Sequence, residues 1–231
     1  MFFKIIMNKW IVIVLSVVLI STALCSCEKD NYSSPRVMNI LYMPHAECHP
    51  VDLGLPSGLK WAAGNIGAES PWSSGLYFAW GETKGYSEGQ VVSGVKKFNV
   101  KTYKIDSLLC TLSSDVDAAR INLGEKWRMP TQKDFEELLE NTTWEWVKTG
   151  AKQGGIYGWL VTSKKNSNYI FFPAAGYCVD EFCFNTGISG FYWFPNGKDP
   201  EYARSLYMNS DGMFLSYDNK CYGFNIRGVC K

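Results

Sequence analysis

From Trp10 to Ile20 the chain is apolar at every position except Ser16, and beyond that run the pattern breaks into short pieces. Two pieces carry a helical period. Asp115–Leu123 places Val116, Ala119 and Leu123 near one face and meets Gly124, which predicts a short helix. Thr131 with Asp134 three residues later reads as a near capping box after Pro130, and Phe135, Leu138 and Leu139 are the buried stripe of a second helix. Most of the other apolar positions form short runs bounded by turn residues. Leu59–Ala62 and Leu76–Trp80 predict strands, and Tyr157–Val161 with Tyr169–Pro173 predict a hairpin around the polar Ser163–Asn168 segment. Ala203–Met208, Met213–Tyr217 and Gly223–Cys230 predict a C-terminal meander, with Asn209-Ser210-Asp211-Gly212 as its first turn. Two short helices among many short aromatic strands predict an α+β domain, mostly antiparallel and rich in long loops.

The unbroken apolar run has a different meaning. Lys4 and Lys9 precede it, and Ser21, Thr22 and Ala23 follow, so residues 1–26 are predicted to be a targeting leader. The run is short for a membrane span, which takes about 20 apolar residues. An ordinary cleaved signal peptide and an uncleaved anchor reaching back to Phe2 are the plainer alternatives. Residues 27–50, with Ser33-Ser34-Pro35, Pro44 and Pro50, read as a tether, in which Val37–Tyr42 could form one extended strand. Residues 51–231 show no break in composition and are predicted to form one domain.

Composition narrows the function classes. With 46% hydrophobic and 15% aromatic residues the chain has the means to build a core, which excludes a disordered segment. The leader takes Lys4 and Lys9 out of 23 basic residues and leaves all 22 acids, so the formal charge moves from +1 to about −1. A near-neutral chain without a clustered basic run is not expected to bind nucleic acid.

Leu24-Cys25-Ser26-Cys27 resembles a bacterial lipobox, which implies cleavage before Cys27 and lipid on its sulfur. Glu28 and Asp30 resemble the acidic export signal of surface lipoproteins in the Bacteroidetes. Together they imply an outer-membrane lipoprotein at the cell surface, joined to the membrane through its acyl chains. An ordered series of motifs points the same way. It opens with Val51-Asp-Leu-Gly-Leu-Pro-Ser-Gly-Leu-Lys-Trp61-Ala62, Asn65-Ile-Gly-Ala68 and Gly75-Leu-Tyr-Phe-Ala-Trp-Gly-Glu-Thr83. Asp117-Ala-Ala-Arg-Ile-Asn122, Trp127-Arg-Met-Pro-Thr131 and Phe135-Glu-Glu-Leu-Leu139 form its middle. Phe172-Pro-Ala-Ala-Gly-Tyr177, Gly190-Phe-Tyr-Trp193 and Arg227-Gly-Val-Cys230 close it. This series resembles the Fibrobacter succinogenes major paralogous domain family. The resemblance implies a single C-type-lectin-like domain, distantly similar also to the formylglycine-generating-enzyme fold. The chain departs from the family at Phe194-Pro195-Asn196-Gly197, and at the Val-Asp-Glu-Phe insert between Cys178 and Cys183. Both departures fall in expected loops, where binding specificity resides.

The candidate chemistry is sparse. Of eight cysteines, Cys25 and Cys27 belong to the leader site, which leaves positions 48, 110, 178, 183, 221 and 230. In an exported chain these favour disulfides, and Cys178 with Cys183 and Cys221 with Cys230 are the first pairs to test. A copper-dependent cysteine oxidase, using Cys178 and Cys183 as a reactive pair, is the enzymatic alternative that the formylglycine-generating resemblance raises. His45-x-x-Cys48-His49 is a weak zinc motif in the tether, and no resident metal or cofactor is expected. The triplet Phe194-Pro195-Asn196 lacks the carboxylate by which C-type lectins hold calcium. Asp134, Glu136, Glu137 and Glu140 read as a solvated helix face, since glycosidase carboxylates must face each other across a cleft. No nucleophile elbow, phosphate loop or zinc-protease motif occurs. With both histidines in the tether, a Ser-His-Asp centre within 51–231 is excluded, and no enzyme is expected. What remains is aromatic. Trp61, Trp80, Trp127, Trp144 and Trp159 are expected in the core. Strand alternation in Phe191-Tyr192-Trp193-Phe194 would leave two rings facing out, so Trp193 with Asn196, Asp199 and Tyr202 is the candidate binding loop for a glycan or a surface protein. The expected function is a binding module, with a structural subunit of a surface assembly as the rival.

Overall fold

In the computed structural model, the described residues are 49–94, 97–104, 110–149 and 155–231. Cys27, His45, Cys48 and the Val37–Tyr42 run therefore lie outside them. Short extended pieces lead and end the domain, β1 (Pro50–Asp52), β2 (Lys60–Ala62), β3 (Trp127–Arg128) and β12 (Val229–Cys230), and they form one sheet in the order β1-β2-β12-β3. Three helices lie between them: α1 (Glu88–Val92), α2 (Ala118–Leu123) and α3 (Gln132–Asn141). β4 (Thr142–Lys148), β5 (Tyr157–Ser163) and β6 (Tyr169–Pro173) make a second sheet, and β7 (Tyr177–Val179) with β8 (Phe182–Phe184) a small hairpin. β9 (Gly190–Gly197), β10 (Tyr202–Asn209) and β11 (Gly212–Asn219) form the last sheet, ordered β11-β10-β9. Every pairing between these strands is antiparallel. The architecture is α+β, with few helices and many short antiparallel strands in small sheets.

Capping sets the helices. Asp117 accepts the amides of Ala119 and Arg120 and starts α2; the same carboxylate accepts Met129 N and so ties α2 to β3. Thr131 and Asp134 form the reciprocal box at α3, and Arg128 reaches Asp134 at 2.7 Å. Burial opposes ionisation of Asp134, but the bonds from Arg128 and Thr131 hold its carboxyl below the usual range. Glu137 accepts from the Ser57 amide and hydroxyl, and Glu136 from the Gln132 side chain. α1 was not foreseen: its five residues show no apolar stripe, only a Ser87–Gln90 capping box.

Two apolar clusters meet at β9. Tyr192 and Phe194 point into one, with Leu59, Trp61, Phe135, Leu138, Phe172 and Leu206; Trp193 points into the other, with Phe78, Trp80, Ala119, Met129 and Phe224. Both faces of β9 are thus covered, which overturns the expectation of two outward rings. At about 1.5–3 kcal/mol for each fully buried large apolar side chain, this strand is a main source of stability. Of the five tryptophans expected in the core, Trp61, Trp80 and Trp127 are buried, while Trp144 and Trp159 pack half-buried against the first cluster.

Two expected strands are corrected. Leu76–Trp80 is not a strand but a largely buried run joined through single bridges, Tyr77 to Tyr86 and Phe78 to Phe224. Gly223–Cys230 does not complete a meander: Gly223, Phe224 and Asn225 make isolated bridges to Cys178, Phe78 and Tyr192, and the strand Val229–Cys230 pairs with β2 and β3 rather than β11. Arg227 sends the chain there. It is 1% exposed and donates to Asn65 Oδ1, the Ala62, Ala63 and Phe171 carbonyls, with its guanidinium 4.7 Å from the Phe172 ring.

Candidate functional site

The loop proposed from sequence does not assemble as expected. Trp193 is 1% exposed, stacked on Phe224 at 4.2 Å, and its indole N–H donates to the Phe78 carbonyl. It has no face to offer a ligand. Asn196 donates to Thr111 Oγ1, and Asp199 accepts the amides of Glu201 and Tyr202, closing a turn. Tyr202 is exposed, with Lys198 Nζ 5.9 Å from its ring. Asp199 and Tyr202 share that turn; Trp193 belongs to the core below it.

The cysteines divide in the same way. Cys178 and Cys183 form a disulfide, directly opposite each other in the β7–β8 hairpin. Cys221 and Cys230 are not paired; both are buried thiols, and β12 runs in a different sheet from the strand that would have brought them together. Burial pushes the Cys221 thiol up to about 11, with the charge of Asp180 adding to the rise.

The Val-Asp-Glu-Phe insert is the feature that faces solvent. Its two-residue turn, Asp180-Glu181, has Asp180 at φ +52°, a left-handed conformation that Asp tolerates better than most residues. Asp180 N donates to the Phe98 carbonyl, and Cys178 exchanges both main-chain hydrogen bonds with Gly223. The disulfide, these bonds and the buried Cys178 fix the base of the hairpin. Gly176 permits its close approach: a Cβ there would lie 2.0 Å from Phe184 O, and φ is +71°. The tip then holds Phe182 at 58% exposure.

Phe182 starts a run of rings that leads inward. Phe184 lies 6.3 Å from it, Tyr177 5.5 Å from Phe184, and Phe191 4.9 Å from Tyr177, ending on the buried Phe224. One open groove of about 460 Å³ flanks Phe182, lined by Asn99, Val100, Lys101, Asp180 and Glu181. A second of about 470 Å³ runs along Val92, Ser93, Gly94 and Cys183. Val92 and Val100 are exposed beside it. The arrangement offers an exposed apolar side chain between two open grooves of mixed lining. Among the described residues no three His, Cys, Asp or Glu side chains converge to hold a metal ion. No helix among them is long and apolar enough to cross a membrane.

The sequence marked the insert as a departure from the family pattern but read its cysteines apart from its phenylalanines. The missed signal is Cys-x4-Cys with apolar residues just inside and outside the second cysteine, which is a disulfide-closed hairpin presenting its tip. Comparison with protein-family models, with curated proteins and with solved structures finds no match to this chain.

Proposed function

We propose that this protein is a cell-envelope binding module, and that its contact surface is the tip of the β7–β8 hairpin. One observation carries the reading: Phe182 is 58% exposed on a hairpin clamped by Cys178–Cys183 and set between two grooves. A large exposed apolar side chain on a fixed backbone loses little entropy on binding, which is how anchor residues gain their effect. Exposed Val92 and Val100 extend the apolar area and favour a protein partner at the surface. The groove beside Asn99, Lys101 and Asp180 supports a second reading, a glycan stacked on Phe182 with its hydroxyls bonded by those polar groups.

The anchoring half of the proposal rests on the leader. Lipid on Cys27 would fix the chain to the outer membrane, and residues 28–50 would give it reach. The C-type-lectin-like fold and the Fibrobacter succinogenes major paralogous family belong to the same proposal, supported by the ordered motifs and by small irregular sheets joined by long loops. The test is a pull-down and glycan-array screen of the lipid-processed chain beside Phe182→Ala and Phe184→Ala. Binding lost at least tenfold in Phe182→Ala, with the fold intact, supports the site; unchanged binding in both variants removes it. A reduced Cys178/Cys183 pair that binds Cu(I) tightly and oxidises a substrate thiol with oxygen would favour the oxidase instead.

A further inference from the structure

At Phe191 the run of rings that starts at the hairpin tip divides. One branch goes inward to Phe224, and the other stays at the surface and crosses the last sheet. Tyr207 stands directly opposite Phe191 on one side and Phe214 on the other, so β9, β10 and β11 each place one ring on the same line and the same face. The hairpin continues that line. Tyr177 pairs directly with Phe184, and the parallel bridge between Gly176 and Gly190 brings Tyr177 beside Phe191. Phe184, Tyr177, Phe191, Tyr207 and Phe214 thus form a ladder, one ring from each of five strands, with steps of 5.5, 4.9, 5.1 and 6.1 Å. Its end rings are 43% and 52% exposed, and the three between them are half-buried. Polar groups stand on either side of it. Asn209 donates to the Tyr207 hydroxyl at one side, and Ser205 donates to Asp218 at the other. Of the side chains that β10 and β11 turn to this face, Asp218 alone is charged.

We propose that this ladder binds a single chain of neutral polysaccharide, with successive pyranose units laid on successive aromatic rings. The proposal deepens the glycan reading above and rests on it, naming the ligand class and extending the contact from the hairpin to β11. Shape carries it. Rings in single file make a strip, whereas the anchors of a protein interface cluster at its centre inside a rim. Each step follows from the spacing of neighbouring strands, about 4.7–4.9 Å. That is close to the advance of one sugar unit along an extended chain, so the match holds from one end of the ladder to the other. The apolar C–H face of each sugar meets a ring, and hydroxyls at its rim meet Asn209, Ser216 and Asp218. Charge supports the same ligand, because the ladder strands turn no Lys or Arg to this face that could hold a polyanion. The ring planes turn by 28° to 63° from one to the next. A flat crystalline surface cannot lie on all of them; a single flexible chain can follow them.

The test is native affinity electrophoresis of the full chain in neutral detergent, through gels holding mixed-linkage β-glucan, galactomannan or arabinoxylan, with polygalacturonate as the charged control. At least one of the neutral chains is expected to retard the protein, and polygalacturonate is not. Phe214→Ala and Tyr207→Ala should each lower the affinity about tenfold, as the loss of one stacked ring implies. Leu215→Ala, on the opposite face of β11, should leave it unchanged. An unaltered urea midpoint will show that Phe214→Ala, which removes a largely exposed ring, still folds. Affinity that falls in Phe214→Ala and Tyr207→Ala but not in Phe182→Ala keeps the ladder and removes the hairpin tip from the contact. No retardation in any neutral gel, or retardation of Phe214→Ala and Tyr207→Ala equal to the parent's, overturns the ladder and leaves a protein contact at Phe182 standing. Binding to polygalacturonate or to crystalline cellulose alone overturns the single neutral chain. A protein adduct from a benzophenone amino acid at position 214 overturns the glycan class.

Discussion

Arg227 is the residue whose loss the fold should tolerate least. Replacing it with Met keeps much of the volume but removes the donors to Asn65 Oδ1 and to the Ala62, Ala63 and Phe171 carbonyls. Each buried acceptor left without a partner costs about 1–3 kcal/mol. Part of that is offset, because burying a guanidinium itself costs several kcal/mol, and the expected net loss is about 3–5 kcal/mol. For a domain of ordinary stability, about 5–15 kcal/mol, this removes a large share. With a urea slope of about 2 kcal/mol per molar, the unfolding midpoint should fall by roughly 2 M. Arg227→Lys should do no better. A single ammonium retains the buried charge but cannot reach Asn65, the Ala62–Ala63 turn and β6 together. Urea unfolding followed by tryptophan fluorescence measures both variants. A midpoint within about 0.5 M of the parent, corresponding to about 1 kcal/mol, for either one would refute this account of the C-terminal segment.

Other expectations concern the hairpin and the caps. Replacing Cys178 and Cys183 together by Ala opens the ring they close and should cost about 2 kcal/mol in the chain-entropy account, read as a lower urea midpoint under oxidising conditions. Gly176→Ala places a Cβ 2.0 Å from Phe184 O in a left-handed backbone, so it should destabilise by at least about 2 kcal/mol; a midpoint equal to that of the parent would contradict the packing there. The Asp134 carboxyl is held below its usual range, so its contribution is complete above the unfolded value near pH 4 and fades as acid titrates the folded group. Asp134→Asn should therefore weaken the fold at pH 7 and flatten the acid limb of stability, and an acid limb as steep as the parent's would argue against that role.

The helices α2 and α3 were legible because their signals are local: Asp117 caps the amides two and three residues after it, and Thr131 and Asp134 bond to each other across three. The β5–β6 and β10–β11 hairpins were legible for the same reason, their turns being short and polar. The family-like motifs prove to be scaffold. Asn65, Asp117, Arg128 and Arg227 all spend their polar atoms holding main chain or one another. What failed was long-range. Alternation along Phe191–Phe194 cannot tell one covered face from two, and β9 has a cluster on each side. The run after Gly223 was assigned to its neighbour in sequence, whereas its end pairs with β2, which lies more than 160 positions earlier. The proposed contact surface is half legible in the sequence: the insert stands out, but strand alternation points to Trp193, which is buried, rather than to the exposed Phe182.

The most direct test of the binding proposal is a photo-cross-linking measurement in the native cells, with a benzophenone amino acid in place of Phe182 and, as a control, at the exposed Lys133. A covalent adduct of defined mass from position 182, absent from 133 and lost when Cys178 and Cys183 are replaced by Ala, is the expected result. Position 182 giving no adduct beyond that of position 133, while the purified chain also shows no glycan binding sensitive to Phe182→Ala, would contradict the hairpin as the contact surface.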